Sequence, residues 1–89
     1  MREKQIERKL SITAKNMGGI APKFVSPGFD GMPDRIVLFP HGRLAFIELK
    51  APGKKLRPLQ EKRKRQLEAL GFSVFVIDSI EQIGGILDE

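Results

Sequence analysis

Gly31-Met32-Pro33-Asp34-Arg35-Ile36-Val37-Leu38-Phe39 runs into Pro40-His41-Gly42, and Arg43-Leu44-Ala45-Phe46-Ile47-Glu48-Leu49-Lys50 follows. An acid opens the first apolar run, and an acid and a lysine close the second. Pro, His and Gly between them form a short turn. Two strands joined this way pair antiparallel. Asp34 then lies near the start of one strand, across from Glu48 near the end of the other. Two carboxylates and a lysine converge at one end of a sheet. The unbroken apolar run before Glu48 predicts burial on both faces, hence a central strand.

Working outward, residues 3–17 read as an amphipathic helix, with Ile6, Leu10, Ala14 and Met17 at helical spacing and Gly18-Gly19 as its stop. Its acids, Glu3 and Glu7, lie one turn apart and are expected to pair with Lys4, Arg8 or Lys9 on the surface. Residues 20–25 read as a short strand with Pro22 near its start, which suits an edge or a bulge. Residues 26–33 form a loop rich in Gly and Pro. After Lys50 a loop of Pro, Gly and bases leads to Pro58, which suits the first turn of a helix. That helix ends at Gly71, residues 72–77 form a last strand, and Ser79 is placed to cap a short final helix. The order is α-β-β-β-α-β-α, an α/β fold with a mixed central sheet flanked by helices. Residues 1–89 make one domain with a small core.

Composition narrows the chemistry. The formal charge of +5 and pI of about 9.9 favour an anionic partner, nucleic acid first. No cysteine is present, and a single histidine cannot build a His-rich zinc site. His41, at a hairpin tip, is expected to have no catalytic part. No apolar run approaches a membrane span, and the N-terminus has no signal-peptide core, so the chain is expected to be intracellular. Between Lys54 and Arg65 there are seven bases and one acid, Glu61. A charge run of this kind is often only a solvated helix face. Here it directly follows Glu48-Leu49-Lys50.

Asp34 and Glu48 offer hard oxygen ligands, the type that Mg2+ or Mn2+ prefers. Such an ion acidifies water and neutralises charge on a reacting phosphate. Lys50 is two residues beyond Glu48, so both side chains leave the same strand face. It can orient a water or steady the scissile phosphate. The Leu49 backbone carbonyl lies between them and can complete the metal shell. Taken alone, E-x-K is commonly a surface ion pair and Pro-Asp a turn. Joined by apolar strands and followed by a basic loop and helix, they suit phosphodiester hydrolysis.

At these residues the sequence resembles the PD-(D/E)xK nuclease superfamily, and within it the virus-type replication-repair nuclease branch, the VRR-NUC domain. The likeness rests on the Glu-bearing first helix, Gly18-Gly19 and Gly31-Met32-Pro33-Asp34-Arg35. It continues through Gly42, Phe46-Ile47-Glu48-Leu49-Lys50, Pro52-Gly53, Leu59-Gln60 and Leu70-Gly71-Phe72. It implies a restriction-endonuclease-like core and divalent-metal-dependent cleavage of DNA. Asp34 and Glu48 match the family's metal-binding acids, Lys50 its catalytic lysine and Gln60 the glutamine of the following helix. The family also carries an acid on its first helix. Glu7 fits by its spacing to Leu10 and Gly18, and Glu3 is the other candidate.

The expected activity is a structure-specific DNA endonuclease, a homodimeric Holliday junction resolvase of the kind phages carry. Lys54, Lys55, Arg57, Lys62, Arg63 and Arg65 would contact the phosphate backbone. A flap, branched-DNA or nicking nuclease uses the same residues. A non-catalytic nucleic-acid-binding module is the alternative from another class.

Overall fold

The computed structural model describes residues 3–87. The elements are α1 (Glu3–Asn16), β1 (Arg35–Leu38), β2 (Leu44–Leu49), α2 (Pro58–Ala69), β3 (Ser73–Ile77) and α3 (Glu81–Leu87), with a 3-10 turn at Pro40–Gly42. Among the described residues the sheet has three strands in the order β1-β2-β3. β1 and β2 are antiparallel, with Arg35 opposite Ile47 and Leu38 opposite Leu44. β2 and β3 are parallel, joined through α2, with Phe46 beside Val74 and Leu49 beside Ile77.

Side-chain alternation on these strands divides the core into two layers. On one face Val37, Ile47, Leu49 and Ile77 meet Ile6, Leu10 and Ala14 of α1 and Ile83 and Leu87 of α3. On the other, Phe46 and Val74 meet Leu67 of α2, with Phe24, Met32, Ile36 and Leu44 against them. Phe46 sits between Phe24 and Phe72 in edge-to-face contacts at 5.9 and 5.6 Å. β2 is buried on both faces from Ala45 through Leu49, as its apolar run predicts.

One predicted strand is reduced. Residues 20–25 run beside β1, but only as two isolated bridges, Ile20 to Leu38 and Lys23 to Arg35. Ile20 and Leu38 exchange both backbone bonds, at 3.0 and 2.8 Å. Two residues on, the Pro22 carbonyl accepts from the Ile36 N–H at 3.2 Å. Proline cannot return that bond, and the ladder breaks there. The register nonetheless holds, since the Phe24 N–H donates to the Asp34 carbonyl at 2.9 Å. The segment is an edge interrupted at one donor.

Gly19 makes this edge possible. A Cβ at that position would lie 2.3 Å from the Leu38 carbonyl oxygen, inside backbone that has nowhere to move. Gly19→Ala is expected to destabilise the protein by about 2–3 kcal/mol, in the range of overpacked sites. Urea denaturation measures this, and a loss below about 0.5 kcal/mol would remove the steric account.

The last helix is capped from its own first turn. Ser79-Ile80-Glu81-Gln82 has the spacing of a capping box. The Gln82 Oε1 accepts from the Asp78 and Ser79 N–H groups, at 2.8 and 3.2 Å. The acids Asp88 and Glu89 lie outside the described residues.

Candidate active site

Continuing the β1–β2 register by one pair sets Asp34 opposite Glu48. Residues directly opposite in an antiparallel pair share a face. Here that is the α2 face, because Ile36 and Phe46 point to it. β1 stops at Arg35, and the Asp34 Oδ1 accepts the Leu49 N–H at 3.2 Å in place of a ladder partner. The next residue of β2 that faces β1 is Leu49, and its N–H and C=O point to the same side. The residue that would face it is Pro33, which has no N–H to offer. The Leu49 carbonyl is thus directed to the Asp34 edge without a ladder donor from that residue.

Glu48 is 6% exposed. Its Oε1 accepts from the Gln60 Nε2 at 3.0 Å and lies 3.8 Å from the Lys50 Nζ. Its Oε2 is buried and has no hydrogen-bond partner. Gln60 is itself fixed: its Oε1 accepts the Arg57 N–H at 2.9 Å, the return half of a capping box at the start of α2. Arginine has no acceptor with which to make the other half. With Oε1 so engaged, the amide must present its NH2 to Glu48.

Burial, then the Asp34 charge, pushes the Glu48 carboxyl up to about 7. Asp34 is also raised, by burial first, against the Leu49 N–H that holds it down. Lys50 offsets part of this, but the two adjacent carboxyls remain raised and one oxygen stays orphaned, so the positive charge present does not balance the site. A hard divalent cation fits that deficit: Asp34, Glu48 and the Leu49 carbonyl supply oxygen donors of the kind Mg2+ and Mn2+ take. Among the described residues no three Asp, Glu or His side chains come together to hold one ion. One or two carboxylates are, however, the usual protein share of a magnesium shell.

The first-helix acids are placed differently from each other. Arg35 follows Asp34 and so points to the opposite face of the sheet, toward α1. It is 8% exposed and binds both the Glu7 carboxylate and the Ala21 carbonyl, the latter at 2.7 Å. Glu7 lines a cleft with Asp34, Leu49, Lys23 and Glu3, yet its Oε1 is spent on Arg35. The expected surface pairing of Glu7 with Lys4, Arg8 or Lys9 is not what forms. Glu3 is the helix acid whose charge raises both Asp34 and Glu48.

The basic run is similarly divided. Lys54, Lys55, Arg57, Lys62 and Arg65 are exposed. Arg63 is not free for phosphate. Its Nε donates to the Asp30 carbonyl at 2.7 Å, its NH1 to the Gln66 Oε1 at 2.8 Å, and its guanidinium stacks 3.8 Å over the Phe29 ring. It fastens loop 26–33 to α2. His41, exposed and in the left-handed region at φ 68°, sits at the hairpin turn, the opposite end of β2 from Glu48.

Residues 4–81 match the VRR-NUC domain. The chain belongs to the VRR-NUC family. It is 49% identical over 79 residues to "Putative nuclease p44" of Acyrthosiphon pisum secondary endosymbiont phage 1, covering 89% of this chain and 85% of that protein. It is also similar to a solved structure described as a VRR_NUC domain, with a TM-score of 0.89 at 26% identity. That likeness covers 98% of this chain and 95% of the other. The three-stranded mixed sheet flanked by helices is consistent with a PD-(D/E)xK nuclease core. No helix among the described residues is long and apolar enough to cross a membrane.

Asp34, Glu48, Lys50 and Gln60 meet at one end of the sheet. Sequence reasoning missed Arg35 as the partner of Glu7 and Arg63 as the clamp of the loop. Period-two alternation already puts Arg35 on the face away from Asp34, and that was the available signal. Nothing local in the sequence tells which of six bases would turn inward onto Phe29.

Proposed function

We propose that this VRR-NUC chain is a divalent-metal-dependent, structure-specific DNA endonuclease, a Holliday junction resolvase that works as a homodimer. The observation that supports it most is buried Glu48 set beside half-buried Asp34, with an unpartnered Glu48 Oε2 and Lys50 on the same face.

A hard divalent cation, when bound, supplies positive charge against the phosphate oxygens and acidifies water. Asp34, Glu48 and the Leu49 carbonyl would hold it. Gln60 fixes Glu48 by one oxygen and leaves the other free for that duty. Lys50 stands beside Glu48 and can donate to the attacking water or to an oxygen of the scissile phosphate. The exposed Lys54, Lys55, Arg57, Lys62 and Arg65 hold the backbone without reading sequence. One chain carries one such site, and paired cuts in a four-way junction need two. A twofold dimer provides them.

The test is cleavage of a four-way junction, a flap, a splayed arm and a linear duplex with Mg2+ or Mn2+, beside sedimentation of the protein. Paired symmetrical nicks in the junction by a dimer are expected, with Lys50→Ala lowering the rate at least about a hundredfold. Preference for the flap would replace the resolvase reading with a branched-DNA nuclease. Binding with no cleavage of any substrate would favour a nucleic-acid-binding module.

A further inference from the structure

Helix α1 sorts its charges by flank. Glu3 and Glu7 lie one turn apart, and so do Lys4 and Arg8. Like charges at this spacing weaken a helix by a few tenths of a kcal/mol per pair. A helix that needed only a solvated surface would alternate the signs. At 100° per residue, Lys4, Arg8, Ser11 and Lys15 fall on one flank, next to Glu7, while Lys9 falls about a quarter-turn beyond Arg8.

Tertiary structure then removes the acid from this flank. Glu7 is drawn to Arg35, and among the described residues Lys4, Arg8 and Lys15 form no ion pair. Lys4, Arg8 and Ser11 line a groove with Glu7. Lys23 joins them from the sheet edge. It is bridged to Arg35, so it shares the α1 face. It is exposed, and it lines the cleft that holds Asp34 and Leu49. Glu7 lines both grooves, so the two adjoin there, between the Asp34 cleft and the outer flank of α1.

We infer that Lys4, Arg8 and Lys23 form a second phosphate-binding track, which takes the backbone of a DNA arm on the α1 side of the active site. The inference rests on the nuclease reading. The basic loop and α2 run approach the site from the opposite face of the sheet. Phosphates on both sides of the β2 end would carry the substrate backbone across Asp34 and Glu48. Glu7 is paired with Arg35 where the two grooves adjoin, and the pairing offsets its repulsion of phosphate.

The experiment is anisotropy of a labelled 30-base-pair duplex in EDTA over a salt series. It compares the parent chain, each of Lys4→Gln, Arg8→Gln and Lys23→Gln, their triple combination, and Lys9→Gln. Each contacted phosphate contributes about 0.9 to the slope of log K against log salt. Each single change is expected to lower the slope by about 0.9, the triple by about 2.7, and Lys9→Gln not at all. All these residues are exposed, and unchanged thermal melts would show that the fold is kept. A triple variant with the parent's slope, or an equal loss from Lys9→Gln, would overturn the track and leave the nuclease reading standing. A parent chain that binds neither this duplex nor a labelled four-way junction would overturn both.

Discussion

Glu48→Gln is expected to abolish metal-dependent cleavage, by at least about a thousandfold, and yet to make the metal-free protein more stable at pH 8. The two effects have one cause. Glu48 is buried beside Asp34, and its carboxyl is pushed up to about 7 from 4.5. The folded state therefore holds a proton that the unfolded state has released between about pH 4.5 and 7. Stability falls as pH rises through that window. A shift of this size corresponds to a ceiling of about 3 kcal/mol, fully lost above pH 7. Glutamine matches the neutral acid in shape and keeps an oxygen for the Gln60 Nε2.

The gain from Glu48→Gln should thus be about 1–3 kcal/mol at pH 8 and close to zero at pH 5, where the parent is already protonated. Chemical denaturation in EDTA at the two pH values measures it. The same substitution removes the charge that a divalent ion would meet. Mn2+ should raise the melting temperature of the parent at pH 8 and leave the variant unmoved. A variant less stable than the parent at pH 8 would mean that burial and Asp34 do not outweigh Lys50 at Glu48 as described above.

Gly31→Ala is the second large effect. Gly31 has φ +88°, where an L residue is strained, and a Cβ would lie 2.7 Å from the Leu59 Cγ and 2.9 Å from its carbonyl oxygen. The carbonyl belongs to the first turn of α2 and cannot swing aside. The substitution is expected to cost about 3 kcal/mol and to lift loop 26–33 from the helix. The loop leads directly into Asp34, and α2 carries Gln60 next to Leu59, so both sides of the site lose their reference. Gly28 is the control: its φ is +81°, but a Cβ there would meet nothing within 4 Å. Gly28→Ala should cost only about 1 kcal/mol of backbone strain. Urea denaturation of the two variants separates strain from collision, and equal losses would contradict the packing argument.

The hairpin and the site end were legible because both depend on local pattern. An apolar run between Asp34 and Glu48 fixes strand alternation, and a three-residue turn fixes which residues face each other. The same pattern puts Glu48 and Lys50 on one face. The edge segment at 20–25 was legible as a strand with a flaw at Pro22, although not the degree to which one missing donor breaks the ladder. What the sequence did not reveal are contacts between distant elements. Glu7 and Arg35 are 28 residues apart, and Arg63 and Asp30 are 33 apart. Charge alone offered several nearer partners for each of them. Burial chose instead: Arg35 lies under α1 and needs an anion there, and Arg63 covers Phe29 beside α2.

The most direct test of the central claim is single-turnover cleavage of a labelled four-way junction by the parent and by Glu48→Gln, in Mg2+, Mn2+ and EDTA. The parent should cut in the metal lanes only, and the variant in none. Cutting in EDTA, or cutting by Glu48→Gln at the parent's rate, would contradict a metal site built on Asp34 and Glu48.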